Sequence, residues 1–212
     1  MHLGLKNPGL QYCIGSIALP NITSICDLGI TYDNKISFRE HIDTKVAKAY
    51  QRIYLIFRGF VSRNTSLHKQ AYVTYVRPLL EYCTPVWSPY LIKDITKIEN
   101  VQRYFTRRLF PRNTLNYADR LKILNLESLE QRRLKFDLKM YFQIIHGLVN
   151  LNKDKFFVFL PKIHSTRSHD FQLQLPLYHS NLLSNTFAGR AIDCWNGLSA
   201  QAVSAKSLGR VI

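Results

Sequence analysis

The sequence predicts a mainly α-helical chain with a small β element at its N-terminus, an α+β arrangement in which helices carry most of the core. Three observations predict it. Residues 11–32 are rich in Ile, Tyr and Thr and punctuated by Gly, Pro and Asn, the pattern of short strands joined by turns. From residue 37 the apolar period changes to that of a helix, and stays so through most of the chain to about residue 150. A chain of 212 residues with 46% hydrophobic side chains can also bury a substantial core.

The elements follow in order. Two or three short strands are expected in residues 11–32. Ser37 followed by Glu40 reads as a capping box, and Ile42, Val46, Ala49, Ile53, Ile56 and Phe60 recur at helical spacing, so the first long helix is placed from about Phe38 to Val61. After the polar break at residues 62–66 a second helix runs from about Leu67 toward Cys83, with Pro78 bending it and residues 84–89 ending it. The third helix, about Lys93 to Leu109, turns Ile95, Ile98, Val101, Phe105 and Leu109 to one side and Arg103 and Arg107 nearly opposite, with Lys93 and Asn100 beside them. A further long helix starts at the Ser128–Gln131 capping pattern and continues through Leu134, Leu138, Tyr141, Ile145 and Leu148 to a stop at residues 147–150. The remainder is less regular, with a last helical segment around residues 187–198 that buries Phe187, Ile192 and Trp195. There is no internal repeat and no low-complexity tract.

Charge points to the partner. The chain has 29 Lys and Arg against 14 Asp and Glu, a net charge of +15, the range expected of a protein that meets a polyanion. The excess is central: residues 41–113 hold thirteen basic and four acidic groups, while residues 1–40 are balanced. Within that region Lys45, Lys48 and Arg52 form one stripe beside the apolar face of the first long helix. Arg103, Arg107, Arg108 and Arg112 stand free of the third helix's apolar face. Solvated cationic faces share this pattern, so the bland alternative is a basic surface without a partner.

Other chemistry finds little support. Cys13, Cys26, Cys83 and Cys194 are scattered, without a close pair, which favours reduced thiols in an intracellular setting, cytoplasm or nucleus. The nearest approach to a zinc pattern, His164 and His169 with distant Cys194, lacks paired spacing, so no metal site is assigned. There is no Gly-flanked nucleophile, no phosphate-cradling glycine loop and no acidic pair that spacing would bring together, hence no catalytic residue. No apolar run approaches the roughly 18 residues of a membrane-spanning helix, and no membrane partner is expected.

Six ordered blocks carry a family resemblance: DLGITYDNKISFREHI, YVRPLLEYCTPVWSP, IENVQRYFTRRLF, YADRLKILNLESLEQRR, TRSH and FAGRAIDCWNGL. Together, from about Leu10 to Ile212, they resemble the region that follows the catalytic motifs in reverse transcriptases of jockey-like non-LTR retrotransposons. The resemblance implies that residues 1–36 are a remnant of the polymerase palm strands, 37–115 a helical thumb-like region, and 116–212 a helical C-terminal extension. It implies an RNA-directed DNA polymerase as the source of the chain. The family's metal-binding aspartates lie upstream of these blocks, so Mg²⁺ belongs to a palm not represented here and no cofactor is expected on this chain. Tyr117–Arg120 (YADR) is similar to the family's aspartate turn with one aspartate lost, but it sits in a different block. There Asp119 leads into an apolar helical pattern and reads as a first-turn helix residue, where negative charge is favourable.

The resulting expectation is a catalytically incomplete fragment that binds nucleic acid, RNA or an RNA/DNA hybrid, through phosphate contacts from Lys45, Lys48, Arg52, Arg103, Arg107 and Arg108. Two other outcomes stay open at this point. The chain could be part of an active reverse transcriptase with its catalytic portion upstream, or the product of a decayed element without function.

Overall fold

A computed structural model describes residues 1–3, 7–62, 64–111, 114–161, 169–178 and 181–205, with the side chain of Leu182 left aside. It is mainly helical with a small N-terminal β element, the predicted fold class. Arg112 and His164 lie outside the described residues.

The chain forms two compact units. The first comprises residues 1–83 and 91–129, the second residues 84–90 and those from 130 onward. This division differs from the boundary expected at residue 115, because the segment 116–129 packs with the helix before it.

The first unit opens with two antiparallel hairpins. β1 (Cys13–Ile14) pairs with β2 (Ile17–Ala18), and β3 (Ser24–Asp27) with β4 (Ile30–Asp33) in the register Asp27↔Ile30. The β3–β4 turn has φ of 47° at Leu28 and 81° at Gly29, the two left-handed residues that suit a two-residue hairpin. Leu28 tolerates this at a strain cost, held by the Tyr82 hydroxyl, which donates to its carbonyl at 3.1 Å.

α1 (Arg39–Gly59) follows the predicted period, burying Ile42, Val46, Ala49, Ile53 and Ile56. Its start is not the predicted capping box. The Ser37 hydroxyl donates to Asp33 Oδ2 at 2.7 Å, and Asp33 also accepts from the Lys35 and Ser37 N–H groups. The nearby aspartate captures the serine, so Phe38, at φ 54°, becomes the N-cap residue without a side-chain bond. Those N–H and O–H donors hold the Asp33 carboxyl below its usual range against the opposing effect of burial.

The second predicted helix is two. α2 (Thr65–Tyr75) is capped by Asn64, which accepts from Ser66 N–H at 2.9 Å, and α3 (Arg77–Glu81) restarts after Val76. Pro78 explains the break: it has no N–H and its ring collides with the carbonyl four residues earlier, so the chain stops at Tyr75 and uses the proline in a new first turn. α5 (Ile92–Leu109) and α6 (Tyr117–Leu124) complete the unit. Asn116 caps α6 by accepting from Asp119 N–H at 2.9 Å, which puts Asp119 in the first helical turn. Asn125, at φ 47°, ends it, with Asn125 N–H to Lys122 O and Leu126 N–H to Leu121 O closing a Schellman motif.

The second unit contains α4 (Thr84–Trp87), a segment predicted only as a helix terminator, then α7 (Leu129–Ile145), which begins one residue after Ser128. Gly147 stops α7 at φ 67°, where Gly147 N–H meets Ile144 O and Leu148 N–H meets Gln143 O. The sequence period overran here: Leu148 lies past the glycine and is exposed. A 3-10 turn (Lys153–Lys155) and a bridge between Phe159 and Leu173 lead to four short helices, α8 (Asn181–Ser184), α9 (Phe187–Arg190), α10 (Ile192–Asn196) and α11 (Ala200–Val203). Their core gathers Tyr141, Phe142, Phe157, Ile192 and Trp195, with Phe187 only partly buried against it. The Tyr141 hydroxyl donates to Phe187 O at 2.8 Å and the Trp195 indole N–H to Phe171 O at 2.9 Å, so both rings are buried without stranding a polar atom.

Gly189 makes this corner possible. A Cβ there would lie 2.5 Å from the Tyr178 hydroxyl and 2.8 Å from the Ser184 carbonyl oxygen. The tyrosine can swing away, but the backbone oxygen cannot. Gly189→Ala is therefore expected to destabilise the second unit by about 1–3 kcal/mol, read from urea unfolding. An alanine variant as stable as the parent would show that α8 and α9 separate freely.

Candidate nucleic-acid interface

The six predicted cations all belong to α1 and α5 of the first unit, so their arrangement depends on how these two helices pack. Three contacts fix it. Lys97 forms an ion pair with Asp43, Tyr50 meets Tyr104 edge-on at 5.4 Å between ring centroids, and the Arg108 guanidinium lies 4.4 Å over the Phe57 ring. Residues 43, 50 and 57 are spaced by seven, and their partners rise in the same order, so α1 and α5 run parallel along this seam.

Seen around α1, the seam lies on one flank of the buried face and the Lys45, Lys48, Arg52 stripe lies on the other. Lys48 and Arg52 are exposed, whereas Lys45 is half-buried near His41. His41 is itself buried and accepts the Thr31 N–H of β4 at Nδ1, 3.1 Å away. Burial, with Lys45 adding repulsion, lowers its pKa to about 4, so the ring is neutral at pH 7 as that acceptor role requires. The stripe thus borders the β3–β4 hairpin.

The α5 arginines occupy a different surface. Arg103, Arg107 and Arg108 are exposed, as the helical spacing predicted. Opposite Arg103 and Arg107 α5 buries Ile98, Val101 and Phe105, with Ile95 and Leu109 only partly covered, while Arg108 lies on the flank that meets Phe57 of α1. The structure therefore does not bring the six residues onto one face. It forms two basic surfaces separated by the body of the helix pair.

The arginines also differ in freedom. The Arg103 guanidinium lies 4.4 Å over the centroid of Tyr117, and that of Arg108 spans Phe57 and Tyr104 while its Nη1 donates to the Tyr104 hydroxyl at 3.1 Å. Both guanidinium groups are held over aromatic rings, which restricts them, and the N–H groups not engaged with Tyr104 suit phosphate oxygens.

Sequence reading missed the layer beneath. Asp94, Glu99, Gln102 and Thr106 lie on the buried side of α5. Gln102 accepts from Tyr72 at 3.0 Å and donates through Nε2 to the Tyr117 hydroxyl at 3.0 Å and to Glu127 O at 2.9 Å. Tyr117 in turn donates to Glu99, which also accepts the Leu129 N–H at 3.3 Å. Burial and the Glu99 carboxylate push the Tyr117 phenol far above its usual range, so it remains a donor. No signal beyond the i, i+3 spacing of Glu99 and Gln102 marks this network in the sequence.

Among the described residues no group of three or more His, Cys, Asp or Glu side chains could hold a metal ion, and no helix is long and apolar enough to cross a membrane. All four cysteines are free and exposed.

The chain is 32% identical over 124 residues to a Caenorhabditis elegans protein, uncharacterized protein B0403.1. The match spans 57% of this chain and 63% of that relative, so the chain covers less than two thirds of the relative's length. No protein-family model and no solved structure matches the chain.

Proposed function

We propose that the first unit is a thumb-like nucleic-acid-binding module, derived from a jockey-like non-LTR retrotransposon reverse transcriptase, that holds an RNA/DNA hybrid by its phosphates. The observation that carries this reading is the outer face of α5, where Arg103 and Arg107 are exposed opposite a buried apolar side and Arg108 is exposed on the flank beside α1. The net charge of +15 supports it, and the ordered sequence blocks resemble that family. Phosphate contacts of this kind position a duplex without reading its sequence. In this reading polymerase chemistry and Mg²⁺ belong to the family's palm aspartates, which these sequence blocks do not include. Four exposed thiols fit an intracellular setting.

Because the basic residues fall on two surfaces, one straight duplex engages one of them. The α5 face is the better candidate, since two of its three guanidinium groups are oriented by rings whereas Lys48 and Arg52 extend from α1 into solvent. Arg103→Glu with Arg107→Glu is expected to leave the melting temperature nearly unchanged and to weaken hybrid binding by about tenfold or more. The log-log salt slope should fall by about two, at about 0.9 per phosphate neutralised. Lys48→Glu with Arg52→Glu serves as the control. Loss of binding in the control with full affinity in the α5 variant would move the interface to the α1 stripe. Unchanged affinity in both would reduce the charge to a solvated surface.

A further inference from the structure

Arg103 is the α5 arginine whose support reaches deepest into the fold. Its guanidinium lies 4.4 Å over the Tyr117 ring, and the Tyr117 hydroxyl is fixed by donating to Glu99 and accepting from Gln102. Gln102 is fully buried and tied to Tyr72, whose ring stacks on Phe105 at 4.3 Å between centroids. Tyr117 also sits at the first position of α6, next to the Asn116 cap, so its backbone is set as firmly as its ring. The Arg120 guanidinium, 5.7 Å from the same ring centroid, is committed elsewhere, with Nη1 donating to Leu115 O at 2.7 Å and Nε to Thr106 at 3.3 Å. Tyr117 therefore offers its face to Arg103 from a rigid base.

We infer that Tyr117 is the positioning residue for Arg103, presetting its guanidinium as the anchor for one phosphate of the bound strand. An exposed arginine ordinarily loses rotamer freedom when it grips an anion, and stacking on a fixed ring means much of that ordering precedes binding. The inference rests on the nucleic-acid reading above and adds a residue that never touches the ligand.

The test compares Tyr117→Phe with Tyr117→Leu. Both remove the hydroxyl that donates to Glu99, so both carry the same loss from the buried network. Only leucine removes the aromatic face. In the free protein, the Arg103 Nε–Hε group observed by NMR is expected to be ordered in wild type and Tyr117→Phe and mobile in Tyr117→Leu. Affinity for a short RNA/DNA hybrid is expected to fall about three- to fivefold from Tyr117→Phe to Tyr117→Leu. In an Arg103→Gln background that same exchange should have no effect. Equal Arg103 mobility in all three proteins, or an equal loss from the exchange with Arg103 already replaced, would overturn the inference while leaving phosphate binding intact. Hybrid affinity unaffected by Arg103→Gln would instead remove the α5 reading itself, and the inference with it.

Discussion

Phe105→Ala is expected to lower the stability of the first unit by about 3–5 kcal/mol, a large share of the 5–15 kcal/mol typical of a domain. The ring is completely buried on α5, stacked against Tyr72 of α2 at 4.3 Å and tilted against Phe57 of α1 at 5.7 Å. Truncation would open a cavity where three helices meet, and neighbouring aromatic rings are too stiff to collapse into it. Tyr72 cannot follow the missing ring without abandoning Gln102. Phe105→Leu retains much of the volume and should recover most of the loss. Urea unfolding of the two variants, followed by tryptophan-independent circular dichroism, measures the difference. An alanine variant within about 1 kcal/mol of wild type would mean that α5 is held by its ends and not by this ring. Binding by Phe105→Ala should be compared only where it remains folded.

The same helix shows how far a sequence can be read. The period of Ile98, Val101 and Phe105 placed the buried side of α5, and Arg103 and Arg107 opposite it followed from geometry alone. Gln102 and Glu99 were not legible as interior residues, because polar side chains enter a core only when partners arrive from elsewhere, here from α2, α6 and the Leu129 backbone. Local competition defeated two other readings. Asp33 took the serine meant for a helix cap, and Pro78 broke a helix that the apolar pattern ran through. The six cations were legible as residues but not as a site. Their division into two surfaces depends on Asp43, Tyr50 and Phe57 facing α5, a tertiary choice that no spacing within α1 reveals.

In the second unit, Asp137→Ala is expected to cost about 3–5 kcal/mol, because it leaves a largely buried guanidinium without its counter-charge. Arg190 grips both carboxylate oxygens of Asp137 at 2.7 Å, and its Nη2 also donates to Pro85 O at 2.8 Å. The pair joins α7, α9 and the start of α4 within one unit. Burial raises the Asp137 pKa, and the Arg190 and Arg133 charges offset that only in part, so desolvation of the carboxylate opposes the attraction that holds it. The pair is consequently a better locking device than a source of net stability. Replacing both members, Asp137→Leu with Arg190→Met, should recover part of what the single alanine loses, since the pair's own charges are then gone while the buried Arg133 still loses its neighbouring carboxylate. Pro85 O would lose one donor, which limits the recovery. Asp137→Leu alone and Arg190→Met alone, measured by urea unfolding beside the double variant, complete a double-mutant cycle. If the double variant were as unstable as the sum of the singles, Asp137 and Arg190 would be acting independently, and the lock between α7, α9 and α4 would have to lie in the Tyr141 and Phe187 packing instead.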